Sequence, residues 1–363
     1  MIDRRRILLG IPAAALAQAP AGGKLGIPGP YPGRVIAVTH PASILAGKYQ
    51  REPVRAMLCR GMMELTGAPD PQAAWRRFFE PGDVVGIKVN PVGQPYIISS
   101  AEVFQEIVAG LESAGVKRRD IVAYDRYQDQ FQSGGFEKWL PEGVRWMYGT
   151  ARGQSDRFQL DMDGYDRDVY MELPLLMTRA PAGDVHYRRS YVAKFLSREV
   201  NKVVNLGVLK HHQSAGFTIA LKNLSHGMVN NVARSHVNSS ANSCGMFIAA
   251  VVDLPVFRRK VVLNIIDGVI GAYHGGPGGR VRNYLWEHKT MYFSTDPVAV
   301  DRVGWTELDA KRAASGMQPI ALAPADKDSN YVRMQPEHVE LAGLLGLGEW
   351  DEAKIDLKRV KIG

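Results

Sequence analysis

The strongest sign of the fold is a buried strand followed by a one-sided helix and a second buried strand. The run GDVVGIKVN at 82–90 is apolar and β-branched, as strands are. Ser99 and Glu102 form a capping box before a helix with one apolar face, and Gly115 is placed to end it. The apolar run DIVAYD at 120–125 follows. Uninterrupted apolar strands joined by a helix are typical of parallel sheets. We therefore predict an α/β fold, with a mostly parallel sheet and helices on both faces in Rossmann-like layering.

The same pattern covers most of the remaining chain. A helix is predicted to end at Gly67, and strands at 200–209, 260–267 and 290–294 are predicted to continue the parallel sheet. Asp296 before a proline predicts a helix N-cap. A helix over 338–348 and a strand over 354–362 complete the pattern. We place a first α/β part of the core at 33–125 and a second at 191–363.

Residues 126–190 interrupt the α/β pattern. The segment is rich in aromatic and charged residues, and FQLDMDGYDRDVYMEL at 158–173 is typical of a hairpin that turns at Asp163 and Gly164. Its carboxylates do not form an EF-hand, because the sixth position is not glycine and Arg167 takes a ligand position. We predict that 126–190 is an inserted, β-containing lobe or flap.

The first nineteen residues are predicted to be an export signal peptide. MIDRRRILLGIPAAALAQAP has a charged front, a weakly apolar middle and a small-x-small ending at Ala15-Leu16-Ala17. The string DRRRILL resembles the twin-arginine signal, with Ile7 and Leu9 at positions where phenylalanine and lysine are usual. The alternative is a frayed N-terminus. The signal implies contact with the export machinery and a periplasmic or envelope location.

Charge and cysteine content exclude several classes of function. The formal net charge is +8, but the basic residues are dispersed and no nucleic-acid-binding motif accompanies them, so we expect no nucleic-acid partner. Cys59 and Cys244 are the two cysteines, far apart and in no CxxC pattern. This chain therefore cannot supply a thiolate zinc site or an iron–sulfur cluster with four cysteines of its own. The two cysteines could pair in an oxidising compartment, but we expect two buried, small apolar side chains.

Polar residues follow the predicted strands, where ligands bind in open parallel sheets. Lys88 and Asn90 end the strand at 82–90, and the next strand ends at Asp125. Residues LKHH at 209–212 end the third strand, and the strands at 260–267 and 290–294 lead to Asp267 and Asp296. We expect these five ends to meet at one edge of the sheet, with the polar side chains beyond the core. In an extended chain His211 and His212 would point to opposite faces.

Two loops add further candidates. The segment DGVIGAYHGGPGGR holds His274, Gly275 and Gly276, and its glycines would let the backbone approach a ligand closely. The segment LKNLSHGMVNNVARSH offers Lys222, Asn223, His226, Asn230 and His236. The sequence has no Walker motif, GxGxxG, HExxH or GxSxG, so nucleotide, zinc-protease and serine-hydrolase functions lack their usual support.

These residue types suggest roles in binding and proton transfer. Lysines neutralise carboxylates or phosphates, histidines move protons or bind metals, and an aspartate orients a histidine or completes a metal site. Each also has a structural interpretation: Asp296 as a helix cap, Asp267 as a turn residue, and a lone histidine as an ordinary loop residue. We assign Lys210, His211, His212 and Lys222 as catalytic candidates; Lys88, Asn90, Asn223, Gly275 and Gly276 as ligand-binding candidates; and His211, His226, His274 and Asp267 as candidate ligands of a divalent metal.

Four strings resemble the domain of unknown function 362 family: VVGIKVN, KVVNLGVLKHHQSAGFTIALKNLSHG, LNIIDGVIGAYHGGP and STDPVAVDRVGW. The resemblance covers most of the mature chain and implies no particular reaction. Many relatives add a ferredoxin-like cysteine cluster that this sequence lacks, so it implies no electron-transfer role. We expect an exported enzyme acting on a small anionic organic molecule, and a histidine-bound metal or an organometallic cofactor stays open. The alternative is a non-catalytic periplasmic ligand-binding or cofactor-handling protein.

Overall fold

A nine-stranded sheet organises the molecule. The structure is a computed structural model that describes residues 24–151, 161–173, 185, 188–236, 243–323 and 333–363, so the predicted signal at 1–19 lies outside the described residues. The strands are β1 (Arg34–Thr39), β2 (Ile44–Leu45), β3 (Lys48–Tyr49), β4 (Val85–Lys88), β5 (Ile121–Tyr127), β6 (Arg145–Thr150), β7 (Tyr165–Glu172), β8 (Arg189–Ala193), β9 (Lys202–His212), β10 (Gly216–Thr218), β11 (Val261–Ala272), β12 (Leu285–Ser294) and β13 (Asp356–Lys361). The order in the sheet is β13-β1-β12-β11-β9-β4-β5-β6, and β10 pairs with β9.

The centre of the sheet is parallel, which confirms the predicted α/β class. Strands β11, β9, β4, β5 and β6 pair in parallel, and so do β13 and β1. The prediction of a parallel strand at 290–294 is wrong, because β12 runs antiparallel to both of its neighbours. The end of β12 therefore lies at the opposite edge, and Asp296 does not join the other strand ends.

Helices cover both faces of the sheet, as predicted. They are α1 (Arg51–Thr66), α2 (Pro71–Trp75), α3 (Ala101–Ser113), α4 (Gln128–Ser133), α5 (Phe136–Trp139), α6 (Leu221–Met228), α7 (Cys244–Val252), α8 (Pro255–Lys260), α9 (Pro297–Ala314) and α10 (His338–Leu344). Neighbouring residues of β9 alternate between two cores: Val203 packs in the core of α6 to α10, and Val204 in the core of α1 to α5.

Local sequence sets the ends of these helices. Helix α1 ends at Gly67, which has φ +68° and is left-handed, as predicted. Helix α3 begins one residue later than predicted, because the side chain that accepts from the Val103 amide is that of Ser100 rather than Ser99. The Ser99 hydroxyl instead donates to the Leu206 carbonyl and accepts from the Asn90 amide, so it holds the end of β4 against β9.

The segment 126–190 supplies strands to two sheets. Strand β6 joins the edge of the main sheet. Strand β7 pairs antiparallel with β8, beyond the stretch 174–187. The first half of the hairpin predicted to turn at Asp163 and Gly164 includes residues 158–160, which lie outside the described part of the chain, so that hairpin stays a prediction. The division into residues 33–125, 126–190 and 191–363 stays a prediction.

The chain reverses its direction of travel across the sheet between β4 and β9. From β4 it continues through α3 to β5 on one side, and from β9 through α6 to α8 to β11 on the other. Such a switch point opens a crevice at the carboxyl ends of the two strands, where α/β proteins bind ligands. No helix among the described residues is both long and apolar enough to span a membrane.

Candidate functional site

A cavity of about 440 Å³ lies at this switch point. It is large enough for a small organic molecule. Of the residues assigned a role from sequence, seven lie in its wall: Lys88, Asn90, Lys210, His212, Lys222, Asn223 and His226. His236, a further candidate without an assigned role, lies there too. The carboxyl ends of β4, β5 and β9 and the helix α6 supply most of this wall. Among the described lining residues four side chains are basic and one is a carboxylate: Lys88, Lys210, Lys222 and Arg126 against Asp125.

Lys88 is held by a buried ion pair and a chain of amides. Its Nζ lies 2.5 Å from Asp125 Oδ1 and 3.2 Å from Asn223 Oδ1. Asn223 Nδ2 donates to Asn205 Oδ1 at 2.8 Å, and Asn205 Nδ2 donates to Asn264 Oδ1 at 2.9 Å. Burial lowers the pKa of Lys88 and raises that of Asp125, and the attraction within the pair opposes both shifts. The pair is therefore a fixed part of the wall rather than a free binding group.

Lys210 is also committed to the protein. Its Nζ donates to Asn90 Oδ1 at 2.8 Å, to the Ile97 carbonyl at 3.3 Å and to the Val92 carbonyl. Burial lowers the pKa of Lys210 well below its ordinary value, while three acceptors favour the ammonium form. Lys210 thus ties the loop after β4 to β9 and adds positive potential to the cavity.

Lys222 differs from the other two lysines. Lys222 is only 7% exposed. Among the described residues, its Nζ has no hydrogen-bond or ion-pair partner. Burial lowers the pKa of Lys222 to about 8; the nearby Cys244 opposes this shift and Arg126 adds to it. Buried amines without partners are costly, and they gather at functional sites.

The place of Lys222 depends on the start of α6. The Asp301 side chain of α9 accepts from the Ala220 amide at 2.6 Å and the Leu221 amide at 3.1 Å. These bonds satisfy donors at the first turn of α6 and fix the helix against α9. At the other end, a Cβ on Gly227 would lie 2.1 Å from Lys88 Cε, so a larger residue there would displace the end of the Lys88 side chain.

His212 lies in the wall of the cavity. Its Nδ1 accepts from the Ser214 amide at 3.1 Å and the Ala215 amide at 3.3 Å. Burial, helped by the charge of Lys222, lowers the pKa of His212 well below its ordinary value, so the ring is neutral near pH 7. A neutral ring that accepts at Nδ1 carries its proton at Nε2. His212 is thus a hydrogen-bond donor to a ligand.

His211 and His274 do not reach the described wall of the cavity. His211 Nδ1 accepts from the Gly276 amide at 3.2 Å and its Nε2 lies 3.2 Å from Met334 Sδ, so both nitrogens are occupied in a fully buried ring. His274 Nδ1 accepts from Arg312. The two rings are 5.1 Å apart. They pack the glycine loop onto β9, which leaves His211 without a free ligand atom.

Asp267, Gly275 and Gly276 also lie apart from the cavity. Asp267 accepts from Tyr49 Oη at 3.0 Å and from the Ser100 amide at 3.1 Å, which places it on the α1 to α3 face. A Cβ on Gly276 would lie 2.0 Å from the His211 carbonyl oxygen, so this glycine allows the loop to pack on β9. The four predicted metal ligands therefore do not converge, because His211, His226 and Asp267 have three separate surroundings.

A different group of metal-ligating residues is present. The ligand atoms of His226, His236 and Cys244 all lie within 4.8 Å of one another. Cys244 Sγ is 3.8 Å from His226 Nε2 and 3.9 Å from His236 Nε2. The sequence argues against a thiolate metal site because it has two distant cysteines, but Cys244 lies beside two imidazoles that come from other elements.

Sequence reasoning missed Cys244 and Arg126 and left His236 out of the metal set. A lone cysteine before an apolar helix looks the same in sequence whether it is packing or ligating. Arg126 follows the noted strand end at Asp125, donates to the His226 carbonyl at 3.1 Å and stacks over the Tyr127 ring at 4.1 Å. Its position directly after a strand end was a usable signal.

The fold and the site define an α/β protein with a basic cavity at the switch point of a mostly parallel sheet. Residues 85–306 match the family described as Domain of unknown function (DUF362). The match covers more than half of the chain, so the protein belongs to this family.

The chain is also similar to a crystal structure of a Thermotoga maritima protein from the Northeast Structural Genomics Consortium. The identity is 13% and the TM-score 0.34, over 60% of this chain and 50% of that chain. This chain thus matches about half of that protein's length. No curated protein matches the chain.

Proposed function

We propose that this protein is an enzyme that binds a small anionic organic molecule in the cavity and transfers a proton to or from it. The observation that carries the proposal is Lys222, a buried cation without a protein partner among the described residues, in a wall with four basic side chains and one carboxylate. A bound anion would supply the missing partner.

The cavity residues have different roles in binding and in proton transfer. Lys88, Lys210 and Arg126 are held by the protein and raise the local positive potential, which favours a carboxylate or phosphate group. His212 donates from Nε2 and orients the ligand. Lys222 has a pKa of about 8, so near neutral pH most of it is protonated and can donate a proton to the bound molecule, while the neutral amine that grows above pH 8 can take one up.

The second candidate is a binding protein without turnover. It is favoured by the extent to which Lys88 and Lys210 are already bonded to the protein. Among the described lining residues Lys222 and His212 then keep groups for the ligand, and both can serve binding alone.

Hydrogen exchange separates the two candidates without knowledge of the reaction. The protein is incubated in deuterium oxide with a panel of small carboxylates and phosphate esters, and loss of carbon-bound hydrogen is followed by proton NMR. Binding is measured in parallel as a shift in Tm. An enzyme exchanges hydrogen on at least one compound, whereas a binding protein shifts Tm without exchange. No binding and no exchange across the panel would contradict both.

Three variants assign the role of Lys222 in this assay. Lys222→Met is expected to lose exchange and binding, while Lys222→Arg keeps a cation and is expected to bind without exchange. Lys358→Met removes the same charge from the exposed strand β13 and should behave as the wild type.

We also propose export through residues 1–19. The supporting observation is the Arg4-Arg5 pair before a weakly apolar run and an Ala-x-Ala ending. Replacing both arginines with lysine should leave the precursor in the cytoplasm, as judged by fractionation. Unchanged export would contradict the assignment.

A further inference from the structure

We infer that His226, His236 and Cys244 form a binding site for a transition-metal ion of borderline softness, with Zn²⁺ as the best match. The three residues come from the end of α6, from the turn at 233–236 and from the first position of α7. Their ligand atoms lie within 4.8 Å of one another, close enough for one ion to contact all three after small side-chain movements. This site lies beyond the proposed function, which needs no metal.

Serine hydroxyls hold the outer nitrogens of both imidazoles. His236 Nδ1 lies 2.6 Å from Ser235 Oγ, and His226 Nδ1 lies 3.1 Å from Ser225 Oγ. Metal-binding histidines usually donate their second N–H in this way, which fixes the tautomer and leaves the other nitrogen for the metal. Here the other nitrogen, Nε2, is the one that faces the sulfur in both rings.

Existing contacts would have to be exchanged on metal binding. His226 Nε2 lies 3.1 Å from Ser235 Oγ, and the Cys244 side chain is hydrogen-bonded to that of Ser214. The Ser235 hydroxyl has a second acceptor, the Val232 carbonyl at 2.7 Å, so its proton stays bonded when the histidine turns to a metal.

The donor set indicates the kind of metal. One thiolate and two imidazoles suit zinc and related borderline ions, and they do not suit calcium or magnesium. Binding replaces the thiol S–H bond by a metal–sulfur bond and releases one proton to solvent. The first position of α7 favours the thiolate that forms.

The position of the site indicates its use. His226 and His236 line the cavity, whereas Cys244 is fully buried behind them. Three protein ligands leave a coordination position open, and here it would face the cavity. A ligand anion could occupy this position and offset the positive charge that the ion adds beside Lys222 and Arg126.

Cobalt(II) titration of the full-length, chelator-treated protein tests the site. Co²⁺ bound to a thiolate gives a sulfur-to-cobalt charge-transfer band, so we expect the wild type to bind one ion and show this band, and Zn²⁺ to remove it by displacement. Cys244→Ser should lose the band and bind at least about tenfold more weakly. Cys59→Ser is the matched control, because Cys59 lies on α1 away from the cavity, and it should match the wild type.

A third variant keeps all three ligands. Ser225→Ala removes the acceptor of His226 Nδ1 and should weaken Co²⁺ binding by about tenfold or more without loss of the band. Circular dichroism checks that each variant is folded, and if Cys244→Ser is not, the band in the wild type and the Ser225→Ala result decide. Absence of the band in the folded wild type, or the same band in folded Cys244→Ser, would overturn the proposal.

Discussion

At the residue scale, the burial of charged Lys222 lowers the free energy of unfolding. Its pKa falls from 10.5 to about 8, so the folded state disfavours the charged form by roughly 3 kcal/mol. Between these two values the unfolded chain binds the proton and the folded chain does not, so rising pH stabilises the fold. Below pH 8 both states are protonated and the full cost remains.

We therefore expect Lys222→Met to be as stable as the wild type or more stable near neutral pH. The advantage of the variant should shrink as pH rises from about 8 towards 10.5, as Lys222 in the wild type loses its proton. Urea unfolding of both proteins across this range measures the difference, which cancels groups common to both. A constant difference over the whole range would show that Lys222 is not desolvated.

In contrast to Lys222, the buried His211 at the end of β9 stabilises the fold. The sequence suggested that both rings lie beyond the core, but His211 is fully buried and His212 is 7% exposed, because β9 continues through both residues. His211→Ala should cost roughly 1 to 3 kcal/mol, since the Gly276 amide loses its acceptor. Anion binding should persist in this variant, and its loss would place His211 in the site.

At the scale of elements, hydrogen bonds between α9 and the start of α6 fix the position of α6, which carries Lys222. Asp301 joins α9 to the start of α6 through two amides. Asp301→Ala should cost roughly 2 to 4 kcal/mol and weaken binding of malonate or sulfate, although it does not line the cavity.

Asp309→Ala is the control for Asp301→Ala. Asp309 also lies on α9, C-terminal to Asp301, and accepts from the Ile320 amide at 2.7 Å. It should cost about 1 kcal/mol and leave binding unchanged. Equal effects of the two variants on binding would show that Asp301 does not position α6.

Asp296 is a helix cap, as the sequence predicts, and it also binds two amides outside the helix. Its Oδ1 accepts from the amides of Val298 and Ala299, and its Oδ2 from those of Gly33 and Glu349, all at 2.9 Å. A helix cap alone would tolerate asparagine. Instead we expect Asp296→Asn to cost roughly 2 to 4 kcal/mol, because an NH₂ group would face two amide donors. Thermal unfolding checks this, and a variant of wild-type stability would contradict it.

At the scale of the whole molecule, features set by local sequence could be predicted and features set by distant pairing could not. The turn at Gly67 and the cap at Asp296 follow from neighbouring residues. The antiparallel course of β12 does not, since a short apolar run looks alike in either direction. The pairing of β7 with β8 joins segments on either side of 174–187, which hides it from a hairpin pattern.

The candidate site, too, could be predicted from the sequence only in part. The polar residues after β4, β5 and β9 could be predicted, because parallel strands bring their ends together. The grouping of His226 and His236 with Cys244 depends on how α6 and α7 pack, which no spacing in the sequence reports. His211 was predicted as a ligand because sequence alone cannot show that Gly276 and Met334 occupy its nitrogens.

The pH dependence of anion affinity tests the central claim, that Lys222 binds an anion in the cavity, most directly. Sulfate and malonate are suitable probes, because their charges stay constant from neutral pH upward. Calorimetric titration of the wild type should show affinity falling as pH rises through about 8, where Lys222 loses its proton. Lys222→Met should bind at least tenfold more weakly, by about 1.4 kcal/mol or more, with no step at this pH. Equal affinity and the same pH step in both proteins would contradict the account.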